Sequence, residues 1–171
     1  MTDDSESIHS LAHIEEKERT KQLTAVLHRA IDLLSRREHS ASELYSKLSN
    51  KGFEPEFINQ TLERLQAEKL QSDERFTESF INERKRRGHG PIKIQHQLYQ
   101  KGVRDDLIEL YLQPESTEWL DLAQQQYQKK YTNPHVNNYN DWSKRARFLQ
   151  SRGFTSDQIR STVIYSDNDP D

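Results

Sequence analysis

A chain of 171 residues with 31% charged and 32% hydrophobic side chains and a net charge of −3 has room for one compact domain or a short array of smaller units. Leu, Ile, Val and Phe number 37, about 22% of the chain and just above the level at which disorder becomes the default, so the protein folds without one deep core. The absence of Cys excludes a disulfide framework, thiolate zinc sites and a cysteine nucleophile. No apolar run nears the roughly 18 residues of a membrane span, and Met1 to Glu18 is acidic, unlike a signal peptide; a soluble cytoplasmic protein is expected.

The first 22 residues read as an acidic extension, partly helical or disordered, with a helical pattern from Ile14 to Leu27. Ala30, Leu33 and Leu34 give a helical stripe that stops near Glu38 and His39. Ser40-Ala41-Ser42-Glu43 reads as a capping box opening a helix that carries Leu44 and Leu48, and Pro55 stands at the first position of the next. Asp73 and Glu74, after Ser72, suit the acidic first turn of a helix with Phe76, Phe80 and Ile81 on one side. Gly88-His89-Gly90-Pro91 interrupts that stripe before Ile94 and Leu98 resume it. Trp119, Leu120, Leu122, Ala123 and Tyr127 lead into a polar loop around Thr132 to Tyr139, followed by Trp142, Ala146 and Leu149. Thr155-Ser156-Asp157-Gln158 forms a second capping box, and residues 166–171 an acidic, frayed tail.

Three glycines share one local context. Leu48 to Phe53, Leu98 to Val103 and Leu149 to Phe154 each carry a Leu, then a basic residue, Gly and an apolar residue, at spacings of 50 and 51 residues between glycines. Six residues beyond each glycine stands Ile (Ile58, Ile108, Ile159), and ten beyond another apolar residue (Leu62, Leu112, Val163). A glycine just past a helix end adopts the left-handed conformation, and the residue after it packs back on the leucine inside the helix. Lys51, Lys101 and Arg152 complement the negative helix end. Strand patterns are absent. The expected fold is therefore all-α: three tandem three-helix repeats of about 50 residues, helix-turn-helix-like, in an elongated curved array, with repeats at 23–67, 68–114 and 115–165.

The charge is unevenly placed. Seven Lys and Arg between residues 84 and 104 (Arg84, Lys85, Arg86, Arg87, Lys93, Lys101, Arg104), with no Asp or Glu among them, leave the other 150 residues at −10. A solvated helix face is the plainer account of four consecutive basic residues, but the length of the zone favours contact with a polyanion or an acidic protein surface. Lys144, Arg145, Arg147 and Arg152 are a second candidate. The seven His show no HExxH motif or paired carboxylate spacing, and no phosphate loop or nucleophile elbow is present; no catalytic residue, cofactor or metal is expected. Helix-turn-helix pairs raise the possibility of DNA reading. However, the helices after the glycine turns begin Glu54-Pro55-Glu56 and Asp105-Asp106, and acidic starts oppose phosphates. Nonspecific phosphate contact through the basic zone of repeat 2 stays open, as does a helical scaffold for an unrelated protein.

Ser72 to Ile81, followed by Gly88-His89-Gly90-Pro91-Ile92-Lys93-Ile94 and Leu98 to Val103, resembles the central block of the RecX family, the regulators of the RecA recombinase. Leu33 to Ser40, with Glu43, Leu44 and Leu48, resembles that family's first repeat, and the resemblance runs from about Ala25 to about Ile164. Gln71 and Ser72 stand where the family usually has an apolar residue and an Asp, and Gln95 and Gln97 where it has Arg and Glu. The resemblance implies a non-enzymatic, usually negative modulator that binds RecA filaments on single-stranded DNA. It would restrain their growth and with it ATP hydrolysis, strand exchange and co-protease activity, in DNA repair and the SOS response. The implied partners are the RecA filament and, weakly and nonspecifically, DNA, with the protein itself a monomer.

Overall fold

The computed structural model describes residues 3–133, 135, 136 and 138–165, with side chains from residue 13 onward. Among them the chain forms helices and no strand, in three sets of three. The first set is α1 (Asp3–Leu34), α2 (Ala41–Ser49) and α3 (Pro55–Ala67). The second is α4 (Asp73–Arg86), α5 (Pro91–Gln100) and α6 (Asp105–Tyr111), and the third α7 (Glu118–Lys130), α8 (Tyr139–Arg152) and α9 (Ser156–Thr162). Two compact units result, Met1–Phe76 and Thr77–Asp171, divided within α4. Backbone is helical from Asp3, within the acidic stretch read as partly helical or disordered, and acidic residues in a first turn favour a helix N-terminus. The tail at 166–171 lies outside the described residues.

Each set closes a small core. Val26, Ala30, Leu33, Leu44, Leu48, Ile58, Leu62 and Leu65 are buried together in the first unit. In the second unit Ala123, Tyr127, Leu149, Phe154, Ile159 and Val163 form the core of the third set. Ile94, Leu98, Val103 and Ile108 are buried in the middle set. Most of the stripe residues of the sequence pattern are among these, while Leu34, Leu122, Trp142 and Ala146 are partly buried; Trp119, at 1% exposure, is core.

The glycine turns have one hydrogen-bond pattern. Phe53, Val103 and Phe154 donate their amides to the carbonyls of Leu48, Leu98 and Leu149 at 3.4, 3.2 and 3.3 Å. Gly52, Gly102 and Gly153, at φ of 86, 69 and 88°, donate to Ser49, Tyr99 and Gln150 at 2.9 Å each. This double bond satisfies carbonyls that a helix end would leave unpaired. The same pattern ends α3 without a glycine: Leu70 donates to Leu65 at 2.8 Å and Lys69 to Gln66 at 3.0 Å, with Lys69 at φ 56°. Sequence pattern carries no sign of this turn, because a lysine occupies the left-handed position.

Buried polar groups in the first unit tie the start of α4 to the loop before α2. Gln71, at 2% exposure, donates to the His39 carbonyl at 3.1 Å and to Asp73 Oδ1 at 2.8 Å. Asp73 Oδ1 also accepts from the Ala41 amide at 2.8 Å, so the acidic first turn of one helix satisfies an open amide of another. Ser40 accepts from the Glu43 amide as the capping pattern suggests, while the Glu43 carboxylate takes both terminal nitrogens of Arg37 at 3.0 and 2.8 Å. The Thr155 and Gln158 capping box forms in full.

Replacing Lys69 with Gly removes a left-handed penalty of roughly 1–2 kcal/mol and adds a backbone entropy cost of roughly 0.5–1 kcal/mol. Lys69→Gly is therefore expected to raise Tm by about 1–3 °C in a thermal melt, and a fall would show that this turn is not strained.

Candidate docking surface

The basic zone runs from the last turn of α4, through the Gly88 to Pro91 turn, along α5 and past its end. That turn is a socket. Gly90 donates its amide to the Arg152 carbonyl at 2.8 Å, and Ile92 donates to the Gly153 carbonyl at 3.0 Å, so the C-terminal turn of α8 meets the N-terminus of α5. The negative end of one helix dipole thus lies against the positive end of the other. No side chain fits between them: a Cβ on Gly90 would stand 2.4 Å from the Gly153 oxygen, and one on Gly153 2.3 Å from Lys93 Cβ. At Gly88 a Cβ would meet only the end of the Gln126 side chain, and the constraint there is its left-handed φ of 75°. What the sequence presents as an interruption of a helical stripe is thus the joint between the second and third repeats. The two glycines flanking His89, paired with a third at the end of α8, were the available signal for it.

Several predicted contact residues belong to this joint. Lys85 Nζ lies 2.7 Å from Glu118 Oε1 and 4.6 Å from the centre of the Trp119 ring. Arg152 Nη1 donates to the Arg87 and Gly88 carbonyls at 3.3 Å each, and its guanidinium lies 5.0 Å from the Phe148 ring centre. Lys93 Nζ reaches the Ser151 carbonyl at 3.4 Å, and the Arg84 guanidinium stacks 4.5 Å from the Phe80 ring centre. Lys85 and Arg152 are thus engaged within this chain, their charged groups lying over aromatic rings and meeting carboxylate and carbonyl oxygens.

Arg145, a secondary contact candidate in the sequence, is buried. It is 5% exposed and gives Nε to Asp141 at 2.9 Å, Nη1 to Tyr127 Oη at 2.7 Å and to the Asn133 carbonyl at 2.9 Å, and Nη2 to the His135 carbonyl at 2.8 Å. A planar fork with five donors suits a loop rich in unpaired carbonyls, and here it organises the connection between α7 and α8. The cations facing outward are Arg86, Arg87 and Arg104, with Lys101 half-buried at the end of α5 and Lys144 and Arg147 exposed on α8. Arg87 pairs with Glu83, Arg104 with Asp106 at 3.3 Å, and Arg147 donates to Ser143 Oγ at 3.1 Å.

His89 sits half-buried among these cations. Burial first, and then the charges of Lys93, Arg84, Arg152 and Arg87, hold its imidazole below the ordinary histidine pKa. His39, at 2% exposure, is depressed chiefly by burial, its Nδ1 lying 3.0 Å from the Arg37 carbonyl.

No helix among the described residues is long and apolar enough to cross a membrane, and no cluster of His, Asp and Glu among them could hold a metal ion. The arrangement defines a protein of tandem three-helix domains, and each domain finds its own counterpart. Residues 27–65, 72–112 and 116–163 match the first, second and third three-helix domains of RecX. The chain belongs to the RecX family. It is 37% identical over 145 residues to regulatory protein RecX of Halorhodospira halophila, covering 85% of this chain and 90% of that one. With the namesake protein of Legionella pneumophila the identity is 39% over 137 residues, 80% of this chain and 91% of the other. The crystal structure of RecX from Lactobacillus salivarius superposes with a TM-score of 0.74 at 20% identity, over 84% of this chain and 96% of that one. A second crystal structure of regulatory protein RecX gives 0.75 at 23% identity, over 87% and 76%. At such identities these two structures support the fold alone.

Two predictions arise from the joint. Gly52 and Gly153 share a turn and a φ near 88°, but a Cβ on Gly52 meets nothing within 4 Å. Gly52→Ala is expected to cost roughly 1–2 kcal/mol, and Gly153→Ala a further 1–3 kcal/mol from overpacking at the joint. Equal losses in denaturant titrations would show that the joint does not constrain the glycine. The second concerns pH. The unfolded chain takes up protons on His39 and His89 near pH 6.5, which the folded protein resists; stability is full above that pH and falls as pH drops through it. Tm is expected to decline from pH 7.5 to 5.5, with a shallower decline in His89→Gln and in His39→Gln than in the parent.

Proposed function

We propose that this chain is a non-enzymatic, negative regulator of the RecA recombinase, acting in the cytoplasm in DNA repair and the SOS response. It binds the RecA filament on single-stranded DNA and restrains filament growth, and through it ATP hydrolysis, strand exchange and co-protease activity. The observation that carries this reading is the match of all three three-helix domains to RecX domains in their own order. Support comes from the charge: on a protein of net −3, Arg86, Arg87, Lys101 and Arg104 gather on the second repeat, where they suit an acidic protein surface or the filament's DNA. Lys144 and Arg147 on the third repeat add a weaker contact. Lys85, Arg145 and Arg152 act indirectly, by holding the repeats that carry these cations.

RecA ATP hydrolysis on single-stranded DNA, titrated with this protein, tests the reading. Inhibition is expected at substoichiometric protein. The triple variant Arg86→Ala, Arg87→Ala, Arg104→Ala is expected to weaken it about tenfold, since three exposed charges at about 0.5 kcal/mol each sum to one decade. Lys85→Ala is expected to lower Tm instead. An unchanged ATPase alongside DNA binding that weakens steeply with salt would replace this reading with that of a nonspecific nucleic-acid binder.

A further inference from the structure

Aligned on their glycines, the middle helices of the three repeats differ on one outward face. Ten residues before the glycine stand Ser42, Ile92 and Ser143, and three before it Ser49, Tyr99 and Gln150. Only α5 turns large apolar groups outward there: Ile92 is 52% exposed and Tyr99 44%. Both lie off the buried stripe of Ile94 and Leu98, seven residues apart, which is two turns and about 10 Å along one helix face. The groups between them are ordered by contacts along the helix, Gln95 reaching Tyr99 Oη at 3.4 Å and Gln100 reaching His96 Nε2 at 3.0 Å. This face lies within the stretch 84–104, which carries seven Lys and Arg and no Asp or Glu.

We infer that the outward face of α5, centred on Ile92 and Tyr99, is the docking stripe for an acidic protein surface that presents apolar side chains to Ile92 and Tyr99 and carboxylates to the basic zone around them. This rests on the reading of the chain as a RecA regulator and identifies the contact that reading leaves open. The occupant is a protein and not a nucleic acid for two reasons. An aliphatic side chain such as Ile92 gains free energy by burial against apolar surface and has no counterpart on a phosphate backbone. The amides of Gly90 and Ile92 at the start of α5, which could otherwise hold a phosphate, are spent on the Arg152 and Gly153 carbonyls. The positive charge of the zone around this apolar contact then favours an acidic partner surface.

The test gives α5 the residues of the first repeat at these positions, Ile92→Ser with Tyr99→Ser, beside the milder single change Tyr99→Gln. Both sites are exposed, so Tm and helical circular dichroism are expected to match the parent. The protein concentration giving half-inhibition of the RecA ATPase is expected to rise at least tenfold in the double variant and less in the single one. Affinity for single-stranded DNA without RecA is expected to stay unchanged. Half-inhibition within twofold of the parent would overturn the docking stripe while leaving the regulatory role intact, and a matching loss of affinity for DNA alone would reassign the face to nucleic acid. Failure of the unsubstituted protein to inhibit RecA at all would remove the regulatory reading, and this proposal with it.

Discussion

The amide that reaches back across each glycine turn to a leucine carbonyl inside the helix is the bond on which the repeats depend. It closes the end of the middle helix, reverses the chain and brings the residue after the glycine over the leucine, as at Leu48 and Phe53, Leu98 and Val103, and Leu149 and Phe154. Small cores of the kind this composition allows leave little reserve for unpaired carbonyls, so each helix end has to be satisfied locally. In the third repeat the same turn has a second use. The Arg152 and Gly153 carbonyls left facing outward accept the first amides of α5, and a single motif serves as both helix terminus and interdomain joint.

That joint alters the meaning of the basic zone. A run of positive charge on an acidic protein suggests a surface for a polyanion, yet Lys85 lies against Glu118 and Trp119, and Arg152 hydrogen-bonds to two carbonyls of the preceding repeat. Charge that looks uniform along the chain is divided in space between cohesion and display. Arg86, in the same last turn of α4 as Lys85, and Arg104, at the N-cap of α6, are exposed. The outward cations thus stand on a scaffold that other cations of the same zone help to hold together.

Buried polar side chains do for the irregular segments what the glycine turns do for helix ends. Arg145 supplies donors to a loop whose carbonyls have no helical partners, and Asp73 supplies an acceptor to the first amide of α2. The amide group of the buried Gln71, which would be costly to bury alone, is satisfied by the His39 carbonyl and Asp73.

Much of this fold is legible in the sequence because its signals are local. Helical stripes, capping residues and left-handed glycines act within one or two turns, so spacing alone placed the three repeats, the stripes and the turns at Gly52, Gly102 and Gly153. The Lys69 turn escaped because its residue type is neutral. The fates of Lys85, Arg145 and Arg152 escaped for a different reason: whether a cation meets water, a ring or a carbonyl depends on neighbours across turns and loops, up to 65 residues away. The sequence by itself determined where helices begin and end, since those choices are settled by residues in contact along the chain. Only the tertiary structure decided which charges and apolar groups are left facing a partner, because burial is a property of what packs across the chain.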